Sequence, residues 1–227
     1  MRTAVITGTS GGIGTAIALA FAGEGCNVVL QYNKGKDKAE ALAEKIQKEY
    51  GVIALPVQAD ISSSQSVKSF FDEVEAKLSN VDVLVNNAGI AQQKLFTDIT
   101  DEDWHRMIGT NLDGVFYYSR EVLNRFMIKN HSGVILNISS MWGQAGASCE
   151  VHYSAAKAGV IGLTKAVALI TRRSLVQIRL PQPNKTVFRN RLFFFQFFRK
   201  CLKTAYLCGF QTATETSWEK LSQNKYS

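Results

Sequence analysis

Short apolar segments alternate with helical repeats of apolar residues along residues 1–168, and this alternation is the strongest constraint on the fold. Ala39, Leu42, Ala43 and Ile46, for example, recur with the period of an amphipathic helix. Strands that alternate with helices are joined by right-handed crossovers, so they form a parallel sheet covered on both faces. The strands are predicted at 4–6, 28–30, 52–57, 81–85 and 134–138.

Pro56 sets the position of the third strand in that sheet. Proline lacks the backbone N–H that a central strand donates, so this strand is expected at an edge. The third strand lies at the edge in the doubly wound order 3-2-1-4-5-6. The sequence therefore predicts an α/β fold with a doubly wound, Rossmann-type parallel sheet. A capping box at 62–65, a long helix over 101–129 and a helix from about His152 belong to the same prediction.

The segment 7–14, Thr-Gly-Thr-Ser-Gly-Gly-Ile-Gly, connects the first predicted strand to the first predicted helix. Glycines allow a tight turn in which backbone N–H groups approach a pyrophosphate, and a helix N-terminus carries about half a positive charge. The position between strand and helix favours dinucleotide binding over an ordinary turn. The candidate cofactor contacts here are Gly8, Ser10, Gly12, Ile13 and Gly14.

The end of the second strand bears on the choice between NAD and NADP. An NAD site usually has Asp or Glu there to hold the ribose hydroxyls. This chain has no carboxylate before Asp37, and Asn33 and Lys34 occupy the candidate positions, with Lys36 close by. A lysine attracts a 2′-phosphate that a carboxylate would repel, so the sequence favours NADP(H). The alternative is that Lys34 and Lys36 belong to an ordinary solvated loop.

Tyr153 and Lys157 are four residues apart, so they share one face of a predicted helix. Hydride delivery to a ketone leaves an alkoxide that needs a proton. A tyrosine can supply it if its pKa falls from about 10 toward neutrality. The ammonium of Lys157 and the positive ring of an oxidised nicotinamide are expected to lower that pKa. Alone, this pair would usually mark only a helix surface.

Three further polar positions make the pattern specific. Ser140 ends the fifth strand, where its hydroxyl can hydrogen-bond a substrate carbonyl, whereas strand alternation points Ser139 to the other side. The run that holds Asn87 and Gly89 ends the fourth strand beside the expected cofactor crevice. Asn111 lies inside the long helix, where asparagine is unfavourable unless it has a task such as bending the helix.

Together these residues resemble the short-chain dehydrogenase/reductase family over about residues 2–168. The resemblance implies a catalytic tetrad of Asn111, Ser140, Tyr153 and Lys157. It implies cofactor contacts by Gly8, Gly12 and Gly14, by Asp60 at the adenine end and by Asn87 beside the central strand, with Tyr153 and Lys157 also close to the cofactor. Intact members form homo-oligomers, which is doubtful for this chain.

The substrate implied by the resemblance is a small-molecule or carrier-bound carbonyl compound. The chain looks most like β-ketoacyl-acyl-carrier-protein reductases, and the segment 140–153 looks closer to a bacterial branch that reduces a 5-aminopentanone group on elongation factor P. Both imply an NADP-dependent carbonyl reductase. The alternative function is an inactive or NADP-binding-only product of a frameshifted reductase gene.

The net charge of +7 arises from one part of the chain. Residues 169–227 contain 11 Lys and Arg against 2 Asp and Glu, whereas residues 1–168 contain 15 against 17. The basic character therefore gives no reason to expect a nucleic-acid partner. Four dispersed cysteines, the lack of a long apolar run and the polar N-terminus favour a cytoplasmic protein without a membrane span. His105, His131 and His152 lack metal-ligand spacing, so no metal is expected and they are interpreted as surface or helix-end residues.

The family pattern breaks at Leu169. Ile178 and Arg179 match the expected sixth strand only weakly. The aromatic run 193–198 follows neither the helix nor the strand period. The interpretations are a frameshifted reading frame, a divergent tail that binds an acidic partner or membrane, and a tail that replaces the lost strands. The first is favoured. The sequence thus predicts a reductase domain over 1–168 and an aberrant basic, aromatic-rich tail over 169–227. C-terminal strands are expected to be missing or replaced, the fifth strand to become an edge, and activity to be weak.

Overall fold

The computed structural model describes residues 1–170 and 175–179 of the chain. Its sheet is parallel, with strand order β3-β2-β1-β4-β5-β6. The strands are β1 Thr3–Ile6, β2 Asn27–Tyr32, β3 Ala54–Gln58, β4 Val83–Asn86, β5 Ser132–Asn137 and β6 Leu175–Arg179. The helices are α1 Gly12–Gly23, α2 Lys36–Tyr50, α3 Ser64–Lys77, α4 Asp101–Ile108, α5 Gly114–Val122, α6 Trp142–Ala145 and α7 Val151–Ile170. The doubly wound α/β prediction is confirmed.

Two layers of helices cover the sheet because alternate strand residues point to opposite faces. Val5, Leu84 and Ile135 belong to the main apolar core, which α3 and α5 complete with side chains such as Phe71 and Tyr118. The intervening residues of β1 and β2, such as Ala4 and Leu30, are also fully buried, and α1 and α2 pack together against these strands. The sheet interior therefore contributes only backbone ends and a few polar side chains to the cleft at its carboxyl edge.

Pro56 lies in β3 at the edge of the sheet, as predicted. That strand begins at Ala54, two residues later than expected. The predicted capping box at the start of α3 is wrong by one residue, because Ser63 caps the helix and accepts the backbone N–H of Ser66 at 3.3 Å. Capping is decided by which hydroxyl reaches a free N–H, and neighbouring serines cannot be ranked from sequence.

The expectation that β5 forms an unprotected edge is wrong. Leu175–Arg179 forms β6 and pairs in parallel with β5, with Val134 opposite Gln177. The run Leu-Val-Gln-Ile-Arg suits a strand, and β5 supplies the partner that makes it one. The aromatic run at 193–198 lies outside the described residues, so the aberrant tail over 169–227, with further C-terminal strands missing or replaced, remains a prediction.

The predicted helix over 101–129 is one helical segment with two interruptions. Gly109–Asp113 and Leu123–Met127 are π-helical turns that separate α4 from α5 and follow α5. Asn111 lies in the first of them, so the helix is locally widened at the residue expected to disturb it. Such turns are typical of functional positions. Within the described residues, no helix has the length and apolarity required to cross a membrane.

Candidate active site and nucleotide cleft

The glycine turn is held open by backbone conformation and by the lack of side chains. Gly8 has a φ of +73°, which favours glycine. A Cβ on Gly14 would overlap the carbonyl of Gly8 and the backbone of Thr9. Gly11 precedes α1, and no side chain caps the first turn of that helix. Free N–H groups at a helix start form an anion site, so the turn fits a pyrophosphate.

The side chain of Gln31 holds the glycine turn in place, a role that the sequence analysis did not identify. Its side chain is 2% exposed, accepts the N–H of Gly8 at 2.8 Å and donates to the carbonyl of Ala59 at 2.7 Å. Its own carbonyl accepts the N–H and hydroxyl of Thr9. A glutamine at the end of an otherwise apolar strand was the available signal.

The ends of β1 and β4 are joined by neutral hydrogen bonds. The hydroxyl of Thr7 accepts the N–H groups of Asn87 and Ala88, both at 2.9 Å, and the side chain of Asn87 donates to the carbonyl of Thr7 at 2.9 Å. The run that holds Asn87 and Gly89 is thereby held beside the glycine turn. No ionised group takes part in these bonds.

The candidate contacts for the adenosine end lie on the rim of the cleft. Asn33 and Lys34 are exposed, and a Cβ on Gly35 would lie 2.7 Å from the Cβ of Ser10, so this loop touches the glycine turn. Asp60 is also exposed, and its carboxylate accepts the N–H and hydroxyl of Ser62. Ile13 is 42% exposed at the start of α1. Lys36 pairs with Glu40 at 3.7 Å, so Lys34 is the better candidate for a phosphate.

Asn111 is fully buried and faces the loop after β4. Its side-chain oxygen accepts the N–H of Ile90 at 3.2 Å, and its amide donates to the carbonyls of Ile90 and Met107 at 3.0 and 3.2 Å. A Cβ on Gly89 would lie 2.5 Å from that oxygen and 3.6 Å from Nζ of Lys157. The structure therefore brings Asn111, Gly89 and Lys157 together.

Tyr153 and Lys157 lie in the first turns of α7, with Ser140 opposite. Nζ of Lys157 donates to the carbonyl of Ile138 at 3.0 Å and lies 5.7 Å from the centroid of the Tyr153 ring. Burial lowers the pKa of Lys157 to about 8. Ser139 donates to the carbonyl of Lys157 at 2.8 Å, so the two serines face different groups. The expectation that Ser140 ends the fifth strand is wrong, because β5 ends at Asn137 and both serines follow it.

The expected fall in the pKa of Tyr153 requires an oxidised nicotinamide as well as Lys157 and stays a prediction, but in the polypeptide alone this pKa is raised. Burial raises the pKa of this phenol, a hydrogen bond from Ser140 opposes the rise, and the charge of Glu150 adds to it. Loss of solvent around the half-buried ring is the largest cause of the rise, and the ammonium of Lys157 donates instead to the carbonyl of Ile138. The phenol is therefore held in its protonated form, which suits a proton donor.

His152 lies at the start of α7, in agreement with the helix-end interpretation, but the surface alternative is wrong. It is fully buried, and its Nε2 lies 3.1 Å from the side-chain oxygen of Gln92. His105 and His131 are exposed, as predicted. Sequence periodicity could not identify this contact, because the hydrogen-bond partner of His152 comes from the distant 90–94 loop. No group of three or more potential metal ligands occurs among residues 1–170.

Comparisons with known proteins agree with this geometry. The family model described as short chain dehydrogenase matches residues 2–188. A 3-oxoacyl-[acyl-carrier-protein] reductase of Staphylococcus epidermidis is 44% identical over 167 residues, which is 74% of this chain and 68% of the relative. The reductase of that name from Aquifex aeolicus is 39% identical over 182 residues, 79% of this chain and 73% of the relative. An actinorhodin polyketide ketoreductase structure with NADPH has a TM-score of 0.75 and 33% identity, covering 79% of this chain and 68% of that chain.

Proposed function

Since the chain belongs to the short-chain dehydrogenase family, we propose that it uses NADPH to reduce a carbonyl group and that Tyr153 supplies the proton. The observation that carries this proposal is the meeting of Tyr153, Ser140 and Lys157 beside the strand ends that border the glycine turn. A polar pocket at the carboxyl edge of a doubly wound sheet is where such folds bind ligands.

The glycine turn supports a dinucleotide because its first helical turn lacks a side-chain cap and a Cβ on Gly14 would fill it. The residues that would hold the cofactor are Gly8, Ser10, Gly12, Ile13 and Gly14 at the phosphates, Asn33, Lys34 and Asp60 at the adenosine end, and Asn87, Gly89, Tyr153 and Lys157 at the nicotinamide end. The lack of a carboxylate at the end of β2 and the exposed ammonium of Lys34 support NADPH over NADH. When bound, NADPH supplies a hydride to the carbonyl carbon.

The side chains then have separate tasks. Ser140 donates a hydrogen bond to the carbonyl oxygen, and Tyr153 gives its proton to the oxygen as the C–O bond becomes an alcohol. An alkoxide is a stronger base than a phenolate, so a phenol with a raised pKa still transfers its proton downhill. The ammonium of Lys157 stabilises the phenolate that remains, and Asn111 holds the loop at Ile90 in place. The phenolate recovers a proton from solvent, so one proton is consumed per turnover.

The first candidate substrate is a 3-oxoacyl group on a carrier, because relatives that are 44% and 39% identical to this chain are named 3-oxoacyl-[acyl-carrier-protein] reductases. Glu150 favours a second candidate, the amine-bearing 5-aminopentanone group. Its carbonyl accepts the N–H of Ser154 at the start of α7, and its carboxylate accepts the amide of Gln93 at 3.3 Å. The negative charge of Glu150 reaches Tyr153 and raises its pKa. Within the described residues the carboxylate of Glu150 forms no ion pair with Lys or Arg, so its charge is free to attract a cationic substrate.

The test compares NADPH oxidation with a 3-oxobutanoyl thioester, with 5-(trimethylammonio)pentan-2-one and with its uncharged isostere 6,6-dimethylheptan-2-one. We expect turnover with a ketone in the set, and a cation preference that falls about fivefold in Glu150→Gln. If NADPH is oxidised equally fast with the cationic and the neutral ketone, only the carrier-bound 3-oxoacyl group remains as a candidate substrate. NADPH binding without turnover of any of them would refute the reductase and favour the NADP-binding-only alternative.

A further inference from the structure

The loop between β4 and α4 is fastened to the segment that leads into α7. The N–H of Lys94 donates to the carbonyl of Cys149 at 2.8 Å. The side chains of Gln92 and His152 meet at 3.1 Å. We call these four residues the clasp. It joins the 92–94 stretch to residues 149–152, which directly precede Tyr153.

The direction of every hydrogen bond around Gln92 is fixed by its neighbours. Its side-chain oxygen accepts from the guanidinium of Arg106 at 3.2 Å, and its amide donates to the carboxylate of Asp103 at 2.9 Å. A guanidinium can only donate and an ionised carboxylate can only accept, so the amide cannot be flipped. His152 must therefore carry its hydrogen on Nε2 and donate it to Gln92.

Asp103 anchors the clasp to α4. It accepts from the ammonium of Lys94 and from the amide of Gln92, and it shares a capping box with Thr100 at the start of the helix. Its hydrogen bonds to Lys94 and Gln92 hold the pKa of this carboxyl well below the usual range. The anchor therefore remains ionised over the whole pH range in which the protein would work.

The same loop is fixed a second time at Ile90, whose N–H and carbonyl both bond to Asn111. Residues 90–94 are thus held between Asn111 and His152, the residue before Tyr153. The other ring nitrogen of His152, Nδ1, is buried without a hydrogen-bond partner among the described residues. An apolar side chain would avoid that cost of desolvation, so the Nε2 bond is the evident use of an imidazole here.

We propose that His152 and Gln92 are positioning residues, which hold the 90–94 loop against the first turn of α7 so that a carbonyl substrate meets Tyr153 in a fixed orientation. This inference rests on the proposed reductase function. The clasp does not touch the glycine turn, so its loss acts on the substrate and not on NADPH. If the 90–94 loop is misplaced, the carbonyl substrate is no longer aligned with Tyr153, and kcat/KM falls.

The test uses Gln92→Met, His152→Leu, the conservative His152→Gln and the control Gln47→Met. Gln47 also donates a side-chain hydrogen bond, to the carbonyl of Ala54 at 2.9 Å, but it lies at the opposite end of the sheet. Gln92→Met and His152→Leu are each expected to lower kcat/KM about tenfold with the Kd of NADPH within about twofold. His152→Gln should restore most of the loss, since its amide can donate to Gln92, and the double variant should be no worse than His152→Leu.

Amide hydrogen exchange separates the clasp from the proposed function. Both clasp variants should speed exchange in peptides 90–98 and 149–153 and leave the glycine turn protected, whether or not a ketone is turned over. If the variants change exchange in this way yet the wild type reduces no ketone, the reductase proposal fails and the clasp stands. The positioning roles would be overturned if exchange in Gln92→Met were unchanged, or if the variants lost NADPH affinity as much as they lose kcat/KM. They would also be overturned if His152→Gln restored none of the lost kcat/KM. Gln92 is half-buried, so its variant decides the matter even if His152→Leu fails to fold.

Discussion

The nucleotide half of the cleft, at the glycine turn, and the catalytic half, at Tyr153, are formed by different kinds of chemical group. Around the glycine turn, the nucleotide half consists of backbone groups and of neutral, buried side chains such as Thr7 and Gln31, and its charged candidate Lys34 lies on the exposed rim. The catalytic half depends on ionisable side chains, and burial raises the pKa of Tyr153 and lowers that of Lys157. The nucleotide half should therefore fail when atoms are added, whereas the catalytic half should fail when particular atoms are removed.

Removal of one oxygen from the catalytic half gives the largest expected effect. Tyr153→Phe should lower kcat roughly 10³-fold, because general acid catalysis is lost, while the Kd of NADPH changes little. Steady-state kinetics and a fluorescence titration of NADPH measure the two quantities. Full turnover in the variant would show that another group donates the proton.

The buried charge of Lys157 makes the second prediction. Its folded pKa of about 8 lies below the unfolded value, so the unfolded chain binds more protons between these pH values and stability rises with pH across that window. Lys157→Met should therefore be more stable than the wild type at pH 7, by up to about 3 kcal/mol, and this advantage should shrink toward pH 10. Urea unfolding at both pH values tests it, and a difference independent of pH would contradict it.

Addition of one carbon tests the nucleotide half. Gly14→Ala should weaken NADPH binding about thirtyfold, because the new Cβ overlaps the Gly8 carbonyl and forces the turn to move. Gly162→Ala in α7 is the matched control, since a Cβ there meets nothing within 4 Å. NADPH titrations that cannot distinguish the two variants would remove the glycine turn from the cofactor site.

The smallest expected effect concerns the exposed rim of the nucleotide half. Lys34→Gln should weaken NADPH binding about fivefold and leave NADH binding unchanged, because a solvated ammonium contributes modestly to binding a phosphate. The loss should diminish at high salt. Lys38→Gln, also exposed at the start of α2, is the control. Equal losses for both nucleotides would mean that Lys34 does not contact the 2′-phosphate.

Sequence reasoning succeeded where local patterns decide the outcome. The alternation of strands and helices predicted the sheet order with Pro56 at its edge. The spacing of Tyr153 and Lys157 predicted their common helix, and the position of Asn111 predicted a disturbed helix. Each of these depends on residues close in sequence or on a strongly restricted backbone.

Sequence reasoning failed where contacts between distant segments determine the burial, the pKa or the pairing of a residue. The buried side chain of His152 hydrogen-bonds Gln92, sixty residues away, and no periodicity could reveal that contact. The direction of the pKa shift of Tyr153 depends on how completely the fold removes solvent. The strand Leu175–Arg179 forms because β5 offers it a partner, although its sequence departs from the family pattern. Gln31 was overlooked because its two partners come from a turn and a separate strand end.

Transfer of a labelled hydride tests the central claim most directly. The protein is incubated with NADPH deuterated at the transferred position of C4 and with the ketone that it turns over fastest, and the alcohol is analysed by mass spectrometry. A reductase with Tyr153 as proton donor predicts one deuterium on the carbinol carbon, and no labelled alcohol from Tyr153→Phe in the same period. An alcohol without deuterium, or NADPH bound and left unconsumed with every ketone, would contradict the account.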